Sequence, residues 1–239
     1  MRTLFIIIIL SLAIFSCQDY YEDGGLVSTE PLKTNTLEFM RSRPDLFDTT
    51  LIIIEKSGLA DIISSENVTF FAPQKSSISN VMSKINSFVK NKRDSLGYTK
   101  DTVLIDDVPS EKWAQYLSRY IFKGQHLRDD ITKGDMVYEN NNTHITGGEM
   151  VNSLNGYPML MYCDWTDWEN VPEAGPRYIY IVDVKGENPT IPKETGFPQA
   201  SVITSNILTS SGAIHVLNKT HEFGFGNSDK FIPAKRTTE

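Results

Sequence analysis

The sequence predicts an α+β protein that folds as one domain, and three features lead to this prediction. The first half of the chain carries apolar side chains at helical spacing, as at Ile78, Val81, Met82 and Ile85. The second half has short runs of β-branched and aromatic residues between turn residues, and residues 177–184 alternate most clearly. No internal repeat divides the 239 residues, which favours one domain with an insertion over two small domains.

Helices are predicted where an apolar stripe meets residues that begin or end a helix. Pro44 fits the first turn of a helix that Gly58 ends. Ser110 marks the start of another helix, which we expect to continue to Gly124. The remaining predicted helices cover residues 37–40, 59–63 and 74–88. The charged residues 91–101 are expected to form a loop.

Eight strands are predicted from short apolar runs. They cover residues 68–72, 136–138, 143–146, 149–153, 158–162, 177–184, 201–208 and 213–217. Asn155 and Gly156 together predict a type I′ turn between two of these strands. The segments 165–176 and 185–198 are rich in proline, glycine and acidic residues, so we expect surface loops there.

The N-terminus has the pattern of an export signal. Arg2 precedes the apolar run 4–15, which is shorter than the roughly 20 residues of a membrane-spanning helix. Ser16 and Cys17 follow that run at once and resemble a bacterial lipoprotein box, with cleavage before Cys17 and acylation of its thiol and amine. This pattern predicts a lipoprotein signal peptide at 1–16 and a lipidated tether at 17–36. A plain signal peptide or an apolar N-terminal helix is the alternative.

The acidic residues behind Cys17, such as Asp19 and Glu22, indicate a location. They resemble the signal that sends some Gram-negative lipoproteins to the outer cell surface. We therefore expect a lipid anchor, of palmitate type, in the outer membrane with the protein exposed at the surface. The periplasmic face is the alternative, and other outer-membrane proteins are candidate partners.

Charge and cysteine content narrow the function classes further. A formal net charge of −7 argues against nucleic acid, whose phosphates need Lys and Arg. If Cys17 carries lipid, Cys163 has no second cysteine to pair with, and an intrachain disulfide is excluded. We expect Cys163 to behave as a small buried hydrophobic residue.

Two short motifs lie far apart in the chain. Residues 69–74 read Thr-Phe-Phe-Ala-Pro-Gln, and residues 211–219 read Ser-Gly-Ala-Ile-His-Val-Leu-Asn-Lys. Together they resemble the two signature segments of the fasciclin domain, a family of extracellular adhesion and binding modules. The resemblance implies a fasciclin-like domain at 37–225, an insertion at about 155–198 and a frayed tail at 226–239.

The resemblance also implies a fold and a set of motif residues. The fold would be a mixed, largely antiparallel β-wedge of sandwich-like sheets with helices packed along one side. The motif residues, expected to be mainly structural, are Thr69, Phe71, Ala72, Pro73, Tyr120, Gly212, Ile214, His215 and Val216. His215 is expected to be a hydrogen-bonded structural histidine. Some members have a Tyr-His pair implicated in integrin contact, whereas this chain has Tyr120 and Ile121, so integrin binding is not inferred.

No pattern of catalytic residues supports an enzyme. The sequence has no Gly-x-Ser-x-Gly motif and no glycine-rich phosphate loop, and its four histidines show no i, i+4 pair. We therefore expect no cofactor, no metal and no catalytic residue. One alternative is an envelope hydrolase that acts on glycans through acidic residues of the insertion. Another is a purely structural subunit of an outer-membrane assembly.

The best candidate binding residues lie in one segment of the insertion. They are Tyr162, Asp164, Trp165, Asp167 and Trp168. Flat aromatic faces beside carboxylates are common in sugar sites, and aromatic side chains are common anchors of protein interfaces. The segment could therefore recognise a protein or a glycan. Alternatively, the two tryptophans pack the insertion onto the domain.

Overall fold

The computed structural model describes residues 31–96 and 102–232 of the chain. The predicted signal peptide, Cys17 and most of the predicted tether lie outside these residues. Within the described residues, no helix is both long and apolar enough to cross a membrane.

Five α-helices lie in the first half of the described chain. They are α1 (Thr36–Arg41), α2 (Pro44–Ser57), α3 (Ala60–Ser65), α4 (Lys75–Leu96) and α5 (Ser110–Leu117). Asn35 caps α1 in a capping box with Glu38, and Gly58 ends α2 in the left-handed conformation. Short 3₁₀ helices cover Ile105–Asp107, Ser118–Tyr120 and Ser228–Phe231.

Nine strands form two sheets. They are β1 (Val68–Ala72), β2 (Ile121–Lys123), β3 (Gly134–Glu139), β4 (Asn142–Gly147), β5 (Glu149–Asn152), β6 (Pro158–Trp165), β7 (Arg177–Val182), β8 (Gln199–Thr209) and β9 (Gly212–Leu217). The large sheet has the order β2-β1-β9-β8-β7-β6-β5, and β3 pairs with β4 in a separate hairpin. Only β1 and β9 run parallel among the paired strands of the described residues.

The long strand β8 joins the two halves of the large sheet. Its first three residues pair with β7, and residues from Val202 to Thr209 pair with β9. Two register irregularities interrupt the second part, and such irregularities bend and twist a strand. The halves therefore diverge along β8, which gives the predicted α+β wedge.

One large apolar core lies between the sheet and the helices. Trp113, Tyr120, Phe71 and Phe122 are among its fully buried members. A smaller cluster packs the β3–β4 hairpin onto β6 and β7 and contains Ile145, Leu160, Tyr162, Val182, Val184 and Phe197. Each cluster stabilises the fold by removing apolar area from water.

Two predicted helix ends are wrong. Helix α4 continues to Leu96, so residues 91–96 are helical and not a loop. Lys, Arg and Leu in this stretch favour a helix, and neither Gly nor Pro stops it. Helix α5 ends at Leu117 instead of Gly124, because Ile121 and Phe122 enter the sheet as β2 and pair with β1.

The prediction at one hairpin turn is also wrong. Among Asn155 and Gly156 only the glycine has a positive φ, so the turn is not type I′. Asn155 instead accepts hydrogen bonds through its side chain from Ser153 Oγ and the Tyr157 N–H. A two-residue turn with positive φ at both positions does occur at Asn140–Asn141, between β3 and β4.

Both ends of the predicted domain need correction. Phe231 is fully buried in a 3₁₀ helix, so residues 226–232 are part of the fold and not a frayed tail. At the other end, the Leu32 N–H donates to Leu208 O at 2.9 Å, and Thr36 is buried. Residues 32–36 are therefore attached to the domain and do not belong to a free tether.

Candidate functional site

The segment between β6 and β7 is a hydrogen-bonded ribbon that extends beyond the sheet. We call residues 164–178 the β6–β7 arm. At its base the Thr166 hydroxyl donates to Pro176 O at 2.7 Å, and the Gly175 N–H donates to Thr166 O at 2.8 Å. Lys133 from the neighbouring segment forms an ion pair with Glu173. The predicted surface loop therefore has a defined structure.

Trp168 stands at the exposed end of the β6–β7 arm. Its backbone exchanges two hydrogen bonds with Val171, at 3.0 and 2.7 Å. Glu169 and Asn170 form the two-residue turn between them, with φ of 45° and 66°. The Trp168 side chain is 58% exposed and that of Val171 is 55% exposed. The turn thus presents two apolar side chains to solvent on a backbone that is already fixed.

Trp165 is placed differently from Trp168. The Arg177 guanidinium lies 3.8 Å from the centre of the Trp165 ring, in a cation–π stack. The ring is partly buried against the main core. One face of Trp165 is therefore occupied by the protein itself, and this tryptophan packs the arm onto the sheet.

Asp164 and Asp167 of the segment have different neighbours. Asp167 Oδ1 accepts the Glu173 N–H at 2.9 Å and so stabilises the arm. Burial, with a smaller effect from Asp135, raises the pKa of Asp164, and Lys133 opposes the shift. Asp167 thus has a structural role within the arm.

Tyr162 must be removed from the candidate binding residues. Its side chain is 1% exposed, its ring stacks on Tyr180 with centroids 4.9 Å apart, and its hydroxyl donates to Gln199. A ring covered in this way offers no face to a ligand, so Tyr162 belongs to the packing of the sheet. Cys163 beside it is a free, buried thiol whose pKa is raised by burial.

The two sequence motifs meet in the centre of the large sheet. Strand β1 pairs in parallel with β9, so that Phe71 lies beside His215 and Val68 beside Gly212. The Phe71 and His215 rings lie 4.8 Å apart. A Cβ atom on Gly212 would lie 1.9 Å from Val68 O, which explains why this position needs glycine.

Other residues of the first motif bind neighbouring backbone groups. The Thr69 hydroxyl donates to Gly124 O and accepts the His126 N–H, both at 2.8 Å. Ala72 is fully buried and pairs with Val216, and Pro73 O accepts the hydroxyl of Thr50 in α2. These contacts join β1 to the loop after β2 and to α2. Ile214, from the second motif, is fully buried in the core.

His215 is held at both ring nitrogens inside the protein. Its Nδ1 accepts the Asn206 N–H at 3.2 Å, and its Nε2–H donates to His126 O at 2.8 Å. Burial lowers the pKa of His215 to about 4, so the ring is neutral at physiological pH. A ring with both nitrogens engaged serves neither as a base nor as a metal ligand.

The family model described as Fasciclin domain matches residues 45–220, which is well over half of the chain. The chain belongs to the fasciclin domain family. A comparison with curated proteins found no match. The β-wedge with its helices, and the meeting of the two signature motifs on β1 and β9, agree with this family.

Tyr120 of this fasciclin domain is hydrogen-bonded to a histidine that lies far away in the sequence. Its hydroxyl lies 2.8 Å from His221 Nε2 and accepts the Gly224 N–H at 2.8 Å. Burial lowers the pKa of His221 to about 3, so the neutral ring accepts the tyrosine proton. The two residues are 101 positions apart, and sequence inspection next to Tyr120 misses the pair.

A buried ion pair was also missed at the sequence level. Arg119 donates to Asp183 at 2.8 Å, with side chains 8% and 0% exposed. The same carboxylate accepts the Tyr157 hydroxyl at 2.7 Å and the Lys185 N–H at 2.9 Å. The Arg119 guanidinium also lies 3.8 Å from the centre of the Tyr157 ring. The sequence did contain a signal for this pair, because Asp183 directly follows the apolar strand β7. A carboxylate that is buried there needs a cationic partner.

Metal-binding geometry is not found among the described residues. No group of three or more His, Cys, Asp or Glu side chains within residues 31–96 and 102–232 is placed to hold an ion. The candidate site of the fasciclin domain is therefore the exposed end of the β6–β7 arm.

Proposed function

We propose that this fasciclin domain is a recognition module of the cell envelope, held in the outer membrane by lipid on Cys17 and exposed at the cell surface. Its ligand is a protein or a glycan that the Trp168 end of the β6–β7 arm contacts. Family membership supports a general binding role. The single observation that carries the site is the exposure of Trp168 and Val171 on a fixed turn.

The physical reason is the low cost of ordering such a site. Large aromatic side chains dominate the binding energy of many interfaces, and a fixed backbone loses little entropy on binding. Two-residue pairing between Trp168 and Val171 fixes this turn before any ligand arrives. An exposed tryptophan on such a turn is therefore better placed to contact a ligand than to pack the fold.

We further propose that the domain binds without catalysis. The interior histidines support this, because His215 and His221 are both neutral and hydrogen-bonded to the protein itself. The carboxylates of the arm support it as well. Asp167 stabilises the arm by accepting the Glu173 N–H, and the electrostatic neighbours of Asp164 are Asp135 and Lys133.

The binding proposal is tested with the mature chain, in which Cys17→Ser keeps the protein in solution. The soluble protein is applied to arrays of glycans and extracellular-matrix proteins, beside Trp168→Ala and the matched control Tyr138→Ala. Tyr138 is 78% exposed in the β3–β4 hairpin. We expect at least one specific signal that Trp168→Ala loses and Tyr138→Ala keeps, with melting temperatures within a few degrees. Equal signals from all three proteins would contradict the proposed site.

The anchor is tested separately in a Gram-negative host. Cells that express the full chain are fed an alkyne-labelled fatty acid, and the protein is isolated and analysed for label. We expect label on the wild type and none on Cys17→Ala, with protease treatment of intact cells removing the domain. An unlabelled wild type would contradict the lipid anchor, and protease resistance in intact cells would favour the periplasmic face.

A further inference from the structure

The pairing between β7 and β8 stops early and leaves two free strand edges. It covers three residue pairs and ends at Tyr180 and Ser201. Strand β7 continues to pair with β6 as far as Arg177, and β8 continues to pair with β9 as far as Thr209. Beyond Tyr180 the two strands therefore diverge, and each is paired with a described strand on its outer side only.

A cleft of about 750 Å³ lies between the diverging strands. This volume falls within the range of roughly 300–1,000 Å³ that is typical of ligand sites. Residues 177–180 of β7 form one wall and residues 201–208 of β8 form the other. Tyr178 and Ile203 would face each other if the register continued, and they are 42% and 55% exposed.

An irregular turn of β8 lies in one wall of the cleft. Asn206 adopts a φ of 60°, and its N–H donates to His215 instead of joining a strand ladder. Its side-chain Oδ1 accepts the Arg128 N–H at 2.8 Å. Asn206 is therefore fixed from two sides, and it holds an irregularity in the part of β8 that lies beyond the last β7–β8 pair, Tyr180–Ser201.

The edge of β8 already accepts an extended segment at its far end. The Leu32 N–H donates to Leu208 O at 2.9 Å, and the Ser210 N–H donates to Thr34 O at 3.1 Å. Leu32 itself lines the end of the cleft. Backbone pairing to this edge thus occurs within the protein, next to a stretch of β8 that has no such partner on the β7 side among residues 31–96 and 102–232.

The charge in the cleft is positive. Arg128 and Arg177 both line it, and none of the lining residues in the described part of the chain is Asp or Glu. Asp129 bonds both arginines from outside the lining, at 3.2 and 3.1 Å, and Trp165 supports the Arg177 guanidinium. Two held arginines with one carboxylate between them leave a net positive charge for a ligand.

We propose that this cleft binds an extended acidic peptide segment of a partner protein, which pairs as an added strand between β7 and β8. Strand addition uses main-chain hydrogen bonds for affinity and side-chain contacts for specificity. Here the free edges supply the main-chain groups, Tyr178 and Ile203 contact apolar side chains of the peptide, and Arg128 and Arg177 bind its carboxylates. This site differs from the end of the β6–β7 arm, and it does not depend on the proposed role of Trp168.

The test uses the mature Cys17→Ser chain, labelled with ¹⁵N, and three synthetic heptapeptides. The first alternates valine and threonine between terminal aspartates. The second has lysine in place of the aspartates, and the third is the first peptide with alternate backbone nitrogens methylated. Amide shifts are followed up to about 1 mM peptide, in the wild type, in Arg128→Gln, in the remote control Arg41→Gln and in Trp168→Ala.

We expect the acidic peptide to shift the amides of Tyr178, Ile203 and Ser205, with affinity that falls as salt rises. Arg128→Gln should weaken binding at least fivefold, whereas Arg41→Gln and Trp168→Ala should leave it unchanged. The lysine and methylated peptides should not bind. Absence of shifts, shifts confined to the arm, or equal binding of the methylated peptide would overturn the proposal. Binding of the peptide only after deletion of residues 18–30 would mean that this segment of the same chain occupies the cleft. Dimerisation through the cleft would mean that a second copy of the protein occupies it. Either result would overturn the proposed partner.

Discussion

The backbone N–H of Asn206 in β8 donates a hydrogen bond to Nδ1 of His215 in β9, across 3.2 Å. The bond joins a histidine of the second signature motif to the irregular turn of the neighbouring strand. Because Asn206 has a φ of 60°, its N–H points away from an ordinary ladder and needs this acceptor. The motif histidine therefore stabilises the irregular turn in the part of β8 that lies beyond its last pair with β7.

Replacement of His215 should destabilise the fold. His215→Leu would leave the Asn206 N–H and His126 O without partners in the interior, at a cost of about 2–4 kcal/mol in the free energy of unfolding. Urea unfolding measures this loss. The matched control is His126→Gln. The partly exposed His126 ring lies 3.1 Å from Lys123 O through Nε2, and its replacement should change stability by less than about 1 kcal/mol. Equal losses in both variants would contradict the role given to His215.

Stability should fall as the solution is acidified below about pH 6.5. Burial lowers the pKa of His215 to about 4 and that of His221 to about 3, whereas a histidine in the unfolded chain titrates near 6.5. Between these values the unfolded chain binds more protons, so unfolding becomes easier as pH falls. The stabilisation is complete above the unfolded pKa and is lost on the way down to the folded pKa.

The pH effect is measured by urea unfolding between pH 7.5 and 5, where most carboxyl groups stay ionised. Each buried histidine contributes a slope of up to about 1.4 kcal/mol per pH unit in this window. His221→Phe should remove the contribution of His221 to this pH dependence and leave the contribution of His215 unchanged. A free energy of unfolding that is constant from pH 7.5 to 5 would contradict the burial of both neutral rings.

Patterns local in sequence predicted most of the fold. The apolar stripe of α4 and the alternation in β7 can be recognised in the sequence. In each element, the residues that share a face are only two to four positions apart. The extension of α4 to Leu96 was missed, because its apolar stripe ends at Val89 while residues of high helix propensity continue. The wedge came from the family resemblance and not from periodicity.

The residues of the candidate site could be predicted from the sequence, but the directions of their side chains could not. The sequence brings Trp165 and Trp168 into one segment, yet Trp165 is stacked by Arg177, and Trp168 is exposed on a turn. Side-chain direction depends on that turn and on a cation 12 positions away, which a sequence pattern does not encode. The pairs Tyr120–His221 and Arg119–Asp183 were missed for the same reason, since their members are 101 and 64 positions apart.

Removal of Arg119 should be far more damaging than removal of a surface arginine. Arg119→Met would leave the buried Asp183 carboxylate without its cation, at a cost of about 3–5 kcal/mol. Arg43→Ala, which breaks the exposed pair with Asp45, should cost no more than about 1 kcal/mol. Chemical denaturation compares the two variants.

A second change separates the charge from the packing of Arg119. In the double variant Arg119→Met with Asp183→Asn, the amide oxygen still accepts the Tyr157 hydroxyl and the Lys185 N–H, and the uncompensated charge is gone. We expect the double variant to regain at least 1 kcal/mol, on the order of the penalty for an unpaired buried charge. A double variant that is no more stable than Arg119→Met would show that packing against Tyr157, and not charge, sets the loss.

Glycine at position 212 should be irreplaceable, because the backbone of β1 passes directly against it. Gly212 has a φ of 135°, and an added Cβ would lie 1.9 Å from Val68 O, where backbone cannot move aside without breaking the β1–β9 pairing. Gly212→Ala should therefore cost more than about 3 kcal/mol in the free energy of unfolding or prevent folding.

Gly186→Ala is the matched control. The φ of Gly186, 75°, is also positive, but a Cβ added there would meet nothing within 4 Å. That variant should lose only the cost of the left-handed conformation, about 1–2 kcal/mol. Thermal unfolding of the two variants separates steric contact from conformation, and similar losses in both would mean that β1 and β9 can move apart.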